Sequence, residues 1–164
     1  MTTDRRSKTV AGRQYPSVVK SDRYVLADDA DPVYPGMLLE VTGVTDQGYF
    51  EVQPNSRAGE NVPLIFAEVR AHPPRGDQTR TYRKNQPYEE PGEMVEAVHF
   101  RPGDTTDNAF LAAEEVAAPG EALVADNAGG LTVHVDEEEG AKLCEAQEDV
   151  EAPADDEARI EVIF

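Results

Sequence analysis

The chain has 164 residues, the usual length of a single domain. Val outnumbers Leu by 18 to 8, and most of the 12 glycines and 12 prolines are scattered singly. Because β-branched side chains favour strands, this composition predicts an all-β domain with many turns. It excludes a coiled coil, a collagen and a fully disordered chain.

The net charge is −18, from 15 basic and 33 acidic residues. Such acidity suits a protein that stays soluble in very high salt, where a Debye length of about 3 Å at 1 M screens self-repulsion. We therefore expect a halophilic source, the alternative being an ordinary acidic protein. The same charge argues against nucleic acid or an anionic membrane as the partner.

Cysteine usage and hydropathy indicate where the protein resides. Cys144 is the single cysteine, and its setting in Leu-Cys-Glu-Ala at 143–146 predicts a buried structural thiol rather than a disulfide or a nucleophile. The polar N-terminus MTTDRRSKTV is unlike a signal peptide, and the apolar run at 62–67 is too short to span a bilayer. We expect a cytosolic protein, or one that leaves the cell by a route other than secretion.

Turn signals divide the chain into short segments with the composition of strands. Pro-Gly pairs at 35–36, 91–92, 102–103 and 119–120 predict turns with glycine at positive φ. Strands are predicted at 37–41, 49–53, 64–69, 93–100, 109–113, 121–125, 131–135, 142–146 and 159–164. One or two helical turns within 109–118 are the alternative there. Residues 126–130 predict a hairpin loop, and the whole pattern predicts a small β-sandwich or barrel.

Two basic segments interrupt the acidic chain. Residues 1–24 are predicted to be an extended N-terminal arm with a net charge of +4, and 25–164 a single β domain. Within that domain, residues 71–92 are a predicted long polar loop, and 70–84 also carry a net charge of +4. Such segments are typical of docking onto an acidic surface, while a free tail and a solvated loop are the alternatives. The candidate partner-binding residues are Arg5, Arg6, Lys8, Arg13, Arg75, Arg80, Tyr82, Arg83 and Lys84.

The sequence carries no motif for catalysis or for a cofactor. His72, His99 and His134 each stand alone, whereas metal sites need clustered ligands. There is no nucleophile elbow and no phosphate-binding loop. Acidic pairs are expected in so acidic a chain, and a sugar cleft would need more aromatic residues. We expect an interaction or structural protein that is not an enzyme and that binds neither a metal nor a cofactor.

Four stretches, read in order, resemble the head decoration (capsid-stabilising, or cement) proteins of tailed double-stranded DNA viruses. They read PGMLLEVTG at 35–43, EVQPNSRAGENVPLIFAEV at 51–69, YEEPGEMVEAVHFRPGDTTDNAFLA at 88–112 and PGEALVADNAGGLTV at 119–133, followed by the terminal EARIEVIF. Their order and spacing, rather than a single motif, carry the resemblance. The sequence departs from the pattern in its longer basic arm and in an acidic insertion at 148–157.

The resemblance implies a function without chemistry. A decoration protein binds the outside of an assembled head shell and stabilises the joints between major capsid protein subunits. The resemblance also implies a homotrimer on the outer surface of the virion, assembled in the host cytoplasm, and the acidic composition adds a halophilic archaeal host. The alternative is a cellular halophilic β-domain that binds a small ligand or a polysaccharide.

Overall fold

A computed structural model describes residues 19–69, 87–134 and 141–164. These residues form strands and no helix, which confirms the predicted all-β class. The strands are β1 (Val19–Leu26), β2 (Leu39–Val44), β3 (Phe50–Pro54), β4 (Ile65–Ala67), β5 (Met94–His99), β6 (Thr105–Leu111), β7 (Val116–Ala117), β8 (Ala122–Ala125), β9 (Leu131–Val133), β10 (Cys144–Ala146), β11 (Val150–Glu151) and β12 (Ala158–Ile163).

The N-terminal half forms a five-stranded sheet in the order β2-β3-β1-β5-β4. β1 pairs parallel with β3 and antiparallel with β5, so it lies at the centre of the sheet. An isolated bridge between Leu38 and Phe66 brings the start of β2 beside β4. The sheet is therefore curved into a half-barrel with an inner and an outer face.

The C-terminal half forms a closed barrel in the order β10-β12-β6-β9-β8, and β7 pairs with β11 beside it. Side chains such as Leu111, Leu123 and Ile160 fill the barrel and are fully buried. Phe66 and Val98, from the outer face of the sheet, belong to the same apolar cluster. The sheet and the barrel thus share one core.

The inner face of the sheet has a second core. Leu26, Val52 and Val95 are buried there, and Tyr88 covers them. Tyr88 and Val33 exchange two backbone hydrogen bonds, of 2.8 and 3.0 Å, which hold this cover in place.

The turn chemistry read from the sequence is confirmed. All four Pro-Gly pairs form turns, and their glycines have φ values between 74° and 101°. Residues 126–130 join the antiparallel strands β8 and β9, as predicted for a hairpin loop. The strand predicted at 159–164 is confirmed as β12, and it buries Ile160 and Val162 in the shared core.

The structure differs from the predicted boundaries at two places. The arm was placed at 1–24, but β1 begins at Val19, so 19–24 belong to the β domain. The predicted loop 71–92 ends in a segment fixed by Tyr88, which is fully buried. In the segment 109–118 the strand predicted at 109–113 is confirmed as the end of β6, followed by β7, and the helical alternative is not formed.

Candidate docking surface

The nine residues predicted to bind partners lie outside the described residues. They are Arg5, Arg6, Lys8, Arg13, Arg75, Arg80, Tyr82, Arg83 and Lys84. The structure does describe where the two basic segments join the fold, and it describes the surface around those points.

Both basic segments are attached to the five-stranded sheet. The first one continues directly into β1, the central strand, at Val19. The second one leaves the sheet after Val69 and returns at Pro87, next to Tyr88. The Tyr88 hydroxyl donates a hydrogen bond of 2.7 Å to the carbonyl oxygen of Glu68, which fixes the two ends of this segment to each other.

The charge of the described body is opposite to that of the two segments. The described residues contain 6 basic and 27 acidic side chains, a net charge of −21. By sequence, residues 1–18 carry +3 and residues 70–86 carry +4. Most of the protein's positive charge is thus concentrated in two segments that extend from one sheet.

An apolar surface lies on the inner face of this sheet, at the end that the core does not cover. Val41, Val44 and Phe50 are exposed to 41%, 59% and 38%. Val44 pairs with Phe50 across β2 and β3, and Val41 pairs with Val52. We call Val41, Val44 and Phe50 the β2 strip.

Aromatic side chains continue the β2 strip toward the core. Phe50 pairs with Tyr24 in β1, and their ring centroids are 5.9 Å apart. The Tyr24 hydroxyl lies 2.9 Å from Nε2 of His99, whose ring stacks on the tyrosine. Burial lowers the pKa of His99 and raises the pKa of Tyr24, so both groups stay neutral near pH 7.

The one charged side chain of β2 is turned away from the β2 strip. Glu40 is buried on the opposite face, where its carboxylate accepts hydrogen bonds from Gln53 (2.5 Å), Ser56 (2.6 Å) and Arg57 (3.1 Å). Burial raises the pKa of Glu40, but these hydrogen bonds outweigh burial and leave that pKa below its ordinary value. The residues that follow it, 41–45, carry no charged side chain.

The described residues include an open cavity and a buried thiol. A cavity of about 400 Å³ is open to solvent and is lined by Asp29, Asp31, Tyr34 and Glu157, among others. In the part of the chain that the structure describes, no three His, Cys, Asp or Glu residues are placed to hold a metal ion.

Cys144 is buried as predicted, and burial raises the pKa of its thiol to about 12. No helix within the described ranges is long and apolar enough to cross a membrane.

Sequence analysis missed the β2 strip, although it predicted strands at 37–41 and 49–53. The sequence offers only a weak signal, the uncharged run Val-Thr-Gly-Val-Thr at 41–45, because longer uncharged runs occur at 32–39 and 61–67. Comparison of the sequence with protein-family models and with curated proteins finds no match.

Proposed function

We propose that this protein is a capsid decoration protein of a tailed virus. It binds the outside of an assembled head shell and stabilises the joints between major capsid protein subunits, without catalysis. One observation carries the proposal: the β2 strip is an uncharged apolar surface on the sheet from which both basic segments extend. The resemblance of residues 33–164 to head decoration proteins agrees with it.

The β2 strip supplies the apolar part of the interface. Exposed apolar patches on soluble proteins mark contact surfaces, and this one lies on a body that is otherwise covered with carboxylates. Because Phe50 of the strip packs beside Tyr24, whose ring centroid lies 5.9 Å away, the strip continues into the core, and a partner can bury area there without rearranging that core. Buried area across a joint is what a clamp needs in order to resist the pressure of packaged DNA.

The two basic segments supply the electrostatic part. A shell assembled in high salt is itself expected to be acidic, so segments with charges of +3 and +4 can dock where the body, at −21, is repelled. In the homotrimer that the resemblance implies, three copies of each segment act together. Several weak contacts then combine into stable occupancy through their effective concentration.

The proposed place of the protein is the outer surface of the virion, and the acidic composition supports the proposal of a halophilic archaeal host. The decisive experiment is quantitative mass spectrometry of purified virions together with an electron-microscopy reconstruction of the particle. We expect a fixed ratio to the major capsid protein and added density above the joints of the shell. Absence from virions, or density confined to the interior, would overturn the proposal; binding of the free protein to a polysaccharide panel would favour the cellular alternative.

A further inference from the structure

We propose that a cavity beside the turn between β2 and β3 binds a single neutral sugar unit. The cavity has a volume of about 510 Å³, which is within the range of sites for small molecules. A sugar site goes beyond the proposed function, which needs no small ligand. Among the residues that line the cavity are Val25 and Met94 of the sheet and Thr45, Asp46, Gln47 and Tyr49 of the turn.

The sheet gives the cavity an apolar side. Val25 pairs with Met94 across β1 and β5. Because side chains alternate along a strand, Val25 points away from its neighbours Tyr24 and Leu26, which belong to the inner core. Val25 is buried, whereas Met94 is exposed to 44%. The cavity therefore lies on the face opposite to the β2 strip, and it offers carbon atoms against which the C–H groups of a ligand can pack.

The turn that gives the cavity its polar side is held in one conformation by its own hydrogen bonds. The N–H of Thr45 donates to the carbonyl oxygen of Tyr49 at 2.8 Å, and the N–H of Gly48 donates to the carbonyl oxygen of Thr45 at 2.9 Å. The N–H of Tyr49 donates to the hydroxyl oxygen of Thr45 at 3.1 Å. Because the turn is fixed before a ligand arrives, little binding free energy is lost in ordering it.

The turn also supplies hydrogen-bonding groups that the fold does not use. Asp46 and Gln47 are exposed, and within the described part of the chain their side chains take part in no hydrogen bond or ion pair. A carboxylate accepts hydrogen bonds, and an amide both donates and accepts them. Neighbouring hydroxyl groups of a sugar need this combination. The ring of Tyr49 adds a flat apolar surface for the C–H face of the sugar.

Charge decides which class of sugar fits. The described body carries −21 and therefore repels an anionic sugar, and none of the described residues that line the cavity is basic. Hydrogen bonds and stacking to a neutral sugar are not weakened by high salt as contacts between exposed charges are. The chain has too few aromatic residues for a cleft that cleaves sugar chains, but a site for one sugar unit needs only one aromatic ring.

The test is a titration of the full-length, isotope-labelled protein in high salt, followed through the NMR signals of its backbone amides. The neutral probes are the methyl glycosides of glucose, galactose and mannose. Glucuronate is the anionic probe, and tetramethylammonium is the cationic probe. We expect at least one neutral probe to shift the signals of residues 45–49 and 92–94 at millimolar concentrations, and we expect the charged probes to leave them in place.

Two variants and a matched control assign the binding to this cavity. Tyr49→Ala removes the aromatic ring but keeps the backbone groups that hold the turn, and Asp46→Ala removes the carboxylate. Asp28→Ala is the control, because Asp28 is also exposed but does not line the cavity. We expect each site variant to lose at least about tenfold in affinity for the sugar and the control to bind like the wild type.

Two results would overturn the inference. One is that no neutral probe shifts the signals of 45–49 and 92–94, and the other is that both site variants bind the sugar as tightly as the wild type. Shifts at these residues with glucuronate or tetramethylammonium alone would overturn the choice of a neutral sugar.

The proposed function is tested separately from the sugar site. Both site variants should bind head shells like the wild type, because the cavity and the β2 strip lie on opposite faces. A protein that is found on virions and binds the sugar at this cavity has both functions. Absence from virions would overturn the proposed function and leave the sugar site to the cellular alternative.

Discussion

The guanidinium group of Arg159 donates a hydrogen bond of 2.7 Å from Nη1 to the carbonyl oxygen of Pro35. The same nitrogen donates to the carbonyl oxygen of Asn108 at 3.0 Å, and the guanidinium carbon lies 3.8 Å from the centroid of the Phe110 ring. Arg159 thus joins β12 of the barrel to the turn that leads into β2. This contact helps to set the orientation of the sheet, and with it the β2 strip, relative to the barrel.

We expect Gly36→Ala to open this joint. Gly36 has a φ of 101°, and a Cβ at this position would overlap the Asn108 carbonyl oxygen and Arg159 Nη1. Gly120 is the matched control, because it has a similar φ of 87° with open space where the Cβ would lie. Urea unfolding should show a loss of about 1 kcal/mol for Gly120→Ala and of about 3 kcal/mol or more for Gly36→Ala. Equal losses would contradict this account of the joint.

The buried carboxylate of Glu40 should make stability depend on pH in a defined direction. Because its pKa in the fold lies below the ordinary value of 4.5, ionised Glu40 stabilises the fold above the unfolded-state pKa. This stabilisation is lost as the pH falls through the folded-state pKa. Relative to the wild type, Glu40→Gln should lose about 1–3 kcal/mol at pH 7, and the difference should shrink below pH 4.5.

Glu60→Gln is the control for this measurement, since Glu60 is exposed and only 3.7 Å from the same Arg57. Its effect on the free energy of unfolding at pH 7 should stay below about 0.5 kcal/mol. A constant difference between the wild type and Glu40→Gln from pH 7 to pH 3 would show that the charge of Glu40 does not stabilise the fold.

The sequence predicted the strands that carry their own apolar pattern, and it missed those that depend on distant partners. Residues 19–26, VKSDRYVL, contain charges of both signs and were assigned in part to the arm. They form a strand because β3 and β5 pair with them on both sides. Tyr88 likewise lies in a polar stretch, and its burial depends on Val33, far away in the sequence.

That Val41 and Val44 lie on the same face could not be predicted from the sequence, because their placement depends on a bulge. In a regular strand, residues three apart lie on opposite faces. The register shift between Val41 and Gly43 places Val41 and Val44 on the same face instead. The residues predicted to bind partners lie outside the described part of the chain, and their assignment stays a prediction.

Cys144 should report unfolding of the barrel. Burial raises the pKa of its thiol to about 12, whereas an exposed thiol titrates near 8.5. At pH 8 its reaction with a disulfide reagent should be about a thousandfold slower in the native protein than in denaturant. Cys144→Ala gives the background rate. A fast reaction of the native protein would mean that the barrel opens readily around β10.

Salt should stabilise the fold strongly. With a net charge of −18, self-repulsion is large at low ionic strength and is screened as the Debye length falls from about 10 Å at 0.1 M to about 3 Å at 1 M. We expect the melting temperature to rise over this range in potassium chloride. Sucrose, which stabilises proteins without screening charge, should give a smaller rise. A melting temperature that does not change with salt would contradict the prediction that the protein comes from a halophilic source.

Deletion of the N-terminal segment should separate docking from folding, provided that it stops before β1. Removing residues 1–18 leaves the whole of β1, whereas removing 1–24 takes away most of the central strand and the buried Tyr24. The shorter deletion should keep a cooperative thermal transition and lose at least about tenfold in affinity for head shells, or about 1.4 kcal/mol. The longer deletion should not fold.

A full-length variant with Arg5, Arg6, Lys8 and Arg13 all replaced by Gln tests whether charge is the cause. At about 0.5 M salt it should lose affinity for head shells to the same extent as the deletion of 1–18. The difference in affinity between either variant and the wild type should become smaller as the salt concentration rises, because screening weakens contacts between exposed charges. If occupancy on the shell is unchanged after the deletion of 1–18, the N-terminal segment does not contribute to binding. The β2 strip and the second basic segment would then account for binding alone. A folded protein lacking 1–24 would contradict the central role of β1, because the sheet would then have to join β3 to β5 without it.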